Sequence, residues 1–426
     1  MLLSGSKATG ADAPACGFNS TTIGWLSILL ASLILLITMG IRQTVGLFVD
    51  PIVSSTVMNI AQVSMAFALG QLVWGLAQPF FGAWVDKKGA FSALVVGALF
   101  IAAGQLGSIW ADSMWSLTIM QGILSPAGSA AGSFSVLIAI VMSRLNADKR
   151  SMAGGIVNAG GSLGQFLFAP MVQFVMNARD HYAGFALLAF WGLISILPAW
   201  LLCRIKPAPA IKDAVPGKIS SSIAANGLVR ESLRDQLKVA VRNSSYMLLC
   251  AGFFTCGFHV AFLTTHLPGE ISSCGHAASV SAASLSIIGL CNIAGSLGAG
   301  FLGKYFRMKY ILTAMYASRA LMIFIYLLAD KTEFTFYAFA VATGLTWLAT
   351  VPPTAGIIGK LFGMRYFATL FGIAFLVHQV GGFLGAFLGG IAMQYEGSYL
   401  WVWHIDVVLA LGAAIFNLPI KEEAVH

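Results

Sequence analysis

A chain of 426 residues that is 58% hydrophobic and 9% charged, with mean hydropathy +0.84, is too apolar for a water-soluble core and suits a lipid solvent. Its net charge of +8 is scattered over short loops and one linker, which excludes a nucleic-acid footprint and fits loops lying beside anionic lipid. Six cysteines without a C-x-x-C pair argue against a zinc site or a disulfide framework.

Residues 1–21 carry no n-region with a cleavage site and read as a tail. Twelve long apolar runs follow. The first six are Trp25–Phe48, Ile60–Trp84, Phe91–Ile109, Trp115–Met142, Met152–Val175 and Phe185–Leu202. The second six are Tyr246–Leu267, Ala282–Gly303, Tyr310–Ala329, Phe334–Ile358, Tyr366–Met393 and Leu400–Leu418. Each is about the length a helix needs to cross a hydrocarbon layer of roughly 30 Å at 1.5 Å per residue. The fold class expected is an all-α membrane protein, with twelve transmembrane helices in two six-helix bundles.

The basic residues orient the stack. Of 24 Lys and Arg, only Arg179 and Lys331 fall in gaps on one side, and Arg42 and Arg319 lie inside runs; all others share the opposite side. Positive loops stay cytoplasmic during insertion, so both termini are expected inside. The organisation expected is a tail (1–21), a first bundle (22–203), a cytoplasmic linker (204–243), a second bundle (244–419) and a tail (420–426). The linker opens with Pro207, Pro209, Pro216 and Gly217, which favour irregular backbone. It continues with Leu228, Leu233 and Leu237 near one helical face, as in a helix resting on the membrane or in a plain solvated tether. Gly161-Ser162-Leu163-Gly164-Gln165-Phe166-Leu167 can be laid on His378-Gln379-Val380-Gly381-Gly382-Phe383-Leu384, a trace of internal duplication.

Gly82-x-x-x-Asp86-Lys87-Lys88-Gly89, after the second run, matches the G-x-x-x-D-(R/K)-x-G-(R/K) loop of the major facilitator superfamily except for Ala90 at the last place. The chain resembles that superfamily over residues 22–419. The resemblance implies alternating access between two bundles, and a latch at Gly82, Asp86, Lys87, Lys88 and Gly89 that holds neighbouring helix ends in the outward-open state. Lys304 stands where a second copy would place its acidic residue, and Gln121 lies near where many relatives carry arginine. Within the superfamily, the chain looks most like the bacterial monocarboxylate-porter and oxalate/formate branch. That similarity rests on Gly40–Phe48, Gly257–Phe262, Pro352-Pro353-Thr354-x-Gly356 and His378-Gln379-x-Gly381-x-Phe383-Leu384. Where monocarboxylate porters often carry an Asp and an Arg four residues apart in helix 8, this chain has Asn292 and Ser296.

Ionisable groups inside a membrane are costly and so are candidates for function. Arg42, with Gln43 beside it, lies in the outer half of helix 1, which lines the cavity in the resembled fold. Its planar fork suits a carboxylate, and a structural role is the alternative. Arg319, in helix 9, is either a second anion ligand or an arginine satisfied by helix carbonyls. His259 and His266 share one face of helix 7 and could take up a proton or simply pack. His378 and Gln379, in helix 11, either contact substrate or anchor close packing along Gly381, Gly385 and Gly389. Trp347, Pro352 and Pro353 in helix 10 suggest an aromatic wall and a kink. No acidic residue is expected near the centre of a span; Asp50 and Asp406 are placed toward the outer boundary.

Such an interior suits anions. The expected function is a secondary transporter for a small organic anion, a carboxylate, by alternating access and with proton symport, in a bacterial inner membrane. Its partners are that anion, protons and lipid. An efflux carrier for an amphipathic or aromatic compound is the alternative, given 12% aromatic residues. The chain shows no phosphate loop, nucleophile motif or metal constellation, so neither an enzymatic activity nor a cofactor is expected.

Overall fold

The computed structural model describes residues 20–142, 150–205, 233–363 and 366–424. Most of the expected tail at 1–21 and of the expected linker at 204–243 lies outside these residues. All regular structure among the described residues is helical. The first half contains α1 (Ser20–Arg42), α2 (Val49–Ser55), α3 (Ile60–Lys88), α4 (Ala90–Gly107), α5 (Met114–Leu117), α6 (Ser125–Ala131), α7 (Phe134–Met142), α8 (Arg150–Ala178), α9 (His181–Ile194) and α10 (Ile196–Arg204). After α11 (Leu233–Arg242), the second half contains α12 (Ser244–Ser273), α13 (Ala278–Leu302), α14 (Met308–Leu328), α15 (Glu333–Thr346), α16 (Val351–Phe362), α17 (Phe367–Glu396) and α18 (Leu400–Asn417).

Among the described residues, eleven helical stretches are long and apolar enough to cross a membrane. The twelfth crossing is α8, which is long but less apolar. It carries Gly160, Gly161 and Gly164 with the buried Ser162 and Gln165. Packed between α1 and α13, it meets protein where its neighbours meet lipid.

Four of the crossings are interrupted among the described residues. The first passes from α1 through Gln43 and Thr44 into a 3-10 turn, Val45–Phe48, before α2. The fourth contains a π turn, Thr118–Leu124, and the sixth is interrupted at Ser195. The tenth breaks at residues 347–350, between α15 and α16, with Pro352 and Pro353 in the first turn of α16, so the kink expected from these prolines is present. Non-helical backbone at membrane depth is tolerated only where protein supplies its hydrogen bonds. These breaks are therefore places to look for function.

Local chemistry sets the ends of α3. Asn59 caps its start in a reciprocal box with Gln62. Gly89, at φ 88°, ends it in a conformation that side chains with a Cβ rarely adopt. The halves meet along α3 against α17 and α8 against α13, so the two segments related by internal duplication occupy corresponding seams. Contact between the halves is tight at the end remote from Asp86. There Gly46 lies against the carbonyls of Thr264 and Thr265, and Gly390 against Ser64. Toward the Asp86 end, α3 and α17 meet at Gly75 with Gln379 and at Trp74 with Phe375. Positions facing that end, such as Gly82, Gly298 and Gly372, have no heavy atom within 4 Å of where a Cβ would stand.

Candidate functional site

The break after α1 leaves Arg42 at the end of a helix with its guanidinium turned onto α3. Nη2 donates to Oε1 of Gln71, and the planar group lies 3.9 Å from the centroid of the Trp74 ring. Cation–π stacking of this kind stabilises a desolvated guanidinium without neutralising it. Among the described residues, Arg42 makes no ion pair with a carboxylate. Beside it lies a cavity of about 20 Å3, the size of a single water. Amides and hydroxyls from α3, α4, the π turn and α6 wall this cavity. Gln121 donates to Gln105 (3.1 Å) and Ser108 (2.9 Å), and Gln105 donates to Ser125 (2.9 Å). Gln121 thus builds a neutral donor–acceptor network with Gln105, Ser108 and Ser125. Gln43 faces the other half, its Oε1 accepting from Thr264 at 3.3 Å.

Trp74 also spans the seam. Its ring meets Phe375 of α17 edge-on at 5.2 Å, and Phe375 stacks on His378 at 5.4 Å with an interplanar angle of 6°. Gln379 lies within 3.2 Å of Nδ1 of His378. His378 Nε2 is buried with no protein partner and lies within electrostatic reach of both Arg42 and Arg319. Arg42 and Trp74 of one half thus face Phe375, His378 and Gln379 of the other across the seam.

The second break forms the centre of a separate cluster. Arg319 is 1% exposed, and its Nη2 donates to the carbonyls of Thr346 (2.6 Å) and Trp347 (3.2 Å), which the break frees. Its Nε and Nη1 have no hydrogen-bond partner among the described residues. Asn292 accepts the Leu348 N–H at 2.9 Å and donates to Ser162 of α8 at 2.8 Å. Cys256 Sγ lies 3.2 Å from Thr350 Oγ1. His259 packs edge-on to Trp347 at 5.9 Å and places Nδ1 2.5 Å from Oδ2 of Asp406.

That last contact corrects the expectation that carboxylates stay away from the interior. Asp406 was placed toward a boundary by its position in its run, yet it is 0% exposed, because α18 turns it inward onto α12. A buried carboxylate is tolerated when an imidazole takes up its lone pairs. His259 therefore belongs with Asp406 rather than on an open cavity wall beside Arg42. His266 lies elsewhere again: its Nε2 is 2.7 Å from the Ala386 carbonyl, and its ring fills the gap opposite Gly389, between α12 and α17.

Asp86, expected in a loop, lies in the last turn of α3, which runs on to Lys88; it is exposed, and no described residue forms an ion pair with it. Lys88 folds back to 5.2 Å from the Trp84 ring, and Gly82 has free space beside it. Among the described residues, no cluster of three or more His, Cys, Asp or Glu could hold a metal ion.

The sequence reading missed Gln71, Trp74, Asn292 and Asp406 as parts of these clusters. A polar Asn292 and an acidic Asp406 inside apolar helices are the sequence signals that mark these two.

The family model for the Major Facilitator Superfamily matches residues 28–386. Monocarboxylate transporter 13 of Bos taurus is 25% identical over 383 residues, covering 88% of this chain and 84% of its own. The oxalate:formate antiporter of Oxalobacter formigenes is 23% identical over 417 residues, covering 95% and 94%. Among solved structures, a D-xylose–proton symporter superposes with a TM-score of 0.72 at 13% identity, covering 94% of this chain and 99% of that one. A bacterial homologue of the lysosomal transporter Spinster, inward-facing and unoccupied, gives 0.69 at 14%, covering 94% and 95%.

Proposed function

The chain belongs to the Major Facilitator Superfamily and is a membrane transporter, and on that premise we propose that it carries a small organic anion, a carboxylate, together with a proton. The observation that carries this reading is Arg42. It is a cation at membrane depth, stacked on Trp74 and bonded to a neutral amide, with no described carboxylate to neutralise it. Burying such a charge is expensive unless a ligand completes it. A carboxylate would take two N–H donors from the guanidinium, with His378 and Gln379 on the opposing wall supplying further donors. The printed names of the relatives, a monocarboxylate transporter and an oxalate:formate antiporter, point to the same ligand class.

The expected mechanism is alternating access. With the basic loops cytoplasmic, the seal at Gly46 and Gly390 is the outer gate. The structure then corresponds to a form open toward the cytoplasm, and the Asp86 loop is released because its latch partners meet it only in the outward-open form. Binding of an anion to Arg42 draws the α17 wall toward α3, closing the space on the inner side.

Reconstitution into proteoliposomes tests this. Uptake of radiolabelled formate, oxalate and lactate, with and without an imposed pH gradient, is expected to show saturable transport of at least one acid, driven by inward proton movement. Transport of organic cations, or no response to the gradient, would overturn the reading.

A further inference from the structure

The anion site accounts for Arg42, His378 and Gln379, but leaves a second buried charge cluster without a role. His259 and Asp406 are each 0% exposed and joined at 2.5 Å through Nδ1 and Oδ2. Among the described residues, the other atom of each group, His259 Nε2 and Asp406 Oδ1, has no hydrogen-bond partner, and neither have Nε and Nη1 of Arg319. Buried polar groups are nearly always satisfied, so several orphaned atoms around one pair of titratable groups mark a site whose bonding changes during function. A purely structural ion pair would be expected to have its remaining lone pairs and protons engaged.

We propose that His259 and Asp406 form the proton-carrying dyad of this transporter, and that Arg319 conveys its charge to the break in the tenth crossing. The assignment rests on proton-coupled anion transport as proposed above, and adds where the proton sits. With neutral imidazole and ionised Asp406, the dyad carries one negative charge and cancels Arg319. One proton, taken up at His259 or at the free Oδ1 of Asp406, neutralises the dyad and leaves the cluster with the net positive charge of Arg319. A cationic cluster favours a bound anion, so proton and anion enter together; release of the proton on the other side restores neutrality and weakens the hold on the anion.

The link to movement is equally local. Arg319 donates to the carbonyls of Thr346 and Trp347, while His259 packs against the Trp347 ring. A change of charge at the dyad therefore acts on an arginine that already pins the α15–α16 break. The ionisable groups acting on His259 are Asp406 of α18 and Arg319 of α14. Beyond Arg319, α14 adds Tyr316 and α12 adds Cys256, while α17 presents His378. Trp347 and Thr350 at the break do not titrate.

The full-length protein in liposomes distinguishes the dyad from the anion reading. Two measurements are made with whichever of [14C]formate, oxalate or lactate the wild type carries: accumulation driven by an inward proton gradient, and counterflow exchange at equal pH on both sides. Asp406→Asn, and the paired His259→Gln/Asp406→Asn, which leaves two neutral amides facing each other, should lower gradient-driven accumulation by about tenfold or more, the ordinary scale of coupling between sites. Counterflow by these variants should stay within about twofold of wild type, since Arg42 is untouched. Infrared difference spectra across pH should show a band from the protonated dyad, either a carboxylic-acid C=O or an imidazolium mode, that is lost in the paired variant. Wild-type accumulation by Asp406→Asn would overturn the dyad while leaving anion transport intact. Equal loss of accumulation and counterflow in both variants would also overturn it, marking the pair as structural. A wild type that exchanges anions but ignores the gradient would instead fail the proton-coupled reading itself.

Discussion

Asn292 donates its side-chain amide to Ser162 of the opposite half at 2.8 Å while its carbonyl oxygen holds the Leu348 N–H at 2.9 Å. One residue thus ties the α8–α13 seam to the broken tenth crossing. Asn292→Ala leaves a buried N–H without a partner, and should lower stability by about 2 kcal/mol, whereas Ser162→Ala, which removes only the seam bond, should cost about 1 kcal/mol. Thermal unfolding of the purified variants in one detergent checks the order. Equal effects would mean that the seam bond alone matters.

Arg42→Lys keeps the charge but loses the planar fork and most of its stacking on Trp74. Anion affinity should fall by about tenfold or more, with Arg42→Ala abolishing uptake. Trp74→Leu should weaken binding less, since Gln71 still orients the guanidinium. Concentration dependence of uptake in proteoliposomes measures all three, and normal transport by Arg42→Ala would favour efflux of an amphipathic compound instead.

Asp86→Asn should leave insertion and thermal stability unchanged, because Asp86 is exposed and no described residue pairs with it in this form. Transport should nevertheless slow, since the substitution removes a charge-assisted contact present in only one of the alternating forms. Accessibility of a cysteine introduced at Gly372 should rise as the balance shifts toward the inward-open form.

The orientation is open to direct labelling. Cys274 is exposed at the end remote from Asp86, and is expected outside, while a cysteine introduced at Ser221 in the linker is expected inside. An impermeant maleimide added to intact cells should label the first and not the second. Partial burial, and then the nearby Glu270 carboxylate, push the Cys274 thiol above its ordinary range. Its thiolate is therefore scarcer at neutral pH, and labelling should quicken as pH rises through a midpoint higher than that of a free cysteine.

Hydropathy and loop charge made the crossings legible because lipid imposes length and apolarity on every residue of a span. The Asp86–Gly89 loop was legible because a helix stop at positive φ demands glycine. The break at Gln43 and Thr44 was not, since the apolar run resumes at Val45 and the residue that Gln43 meets, Thr264, lies far along the chain. The His259–Asp406 pair escaped for a related reason. Counting residues gives depth in the membrane but not which way a helix face turns, and Asp406 is interior by rotation rather than by depth. Gln71 and Trp74 read as ordinary members of an apolar helix, and only the approach of Arg42 gives them a role.

Gly257 of α12 lies so close to α17 that an added Cβ would strike the His378 carbonyl, and Gly381 of α17 meets the Phe254 carbonyl in the same way. Gly257→Ala should cost about 1–3 kcal/mol through overpacking and displace His378 from the Phe375 ring. The backbones themselves touch there, with no flexible side chain between them to absorb a shift. Mechanically, α12 and α17 behave as a single welded beam that carries the imidazoles of His259 and His378 at a constant separation. Whatever bending alternation requires must then be taken up elsewhere, at the two joints on either side of the beam: Gln43–Thr44 in the first crossing and residues 347–350 in the tenth.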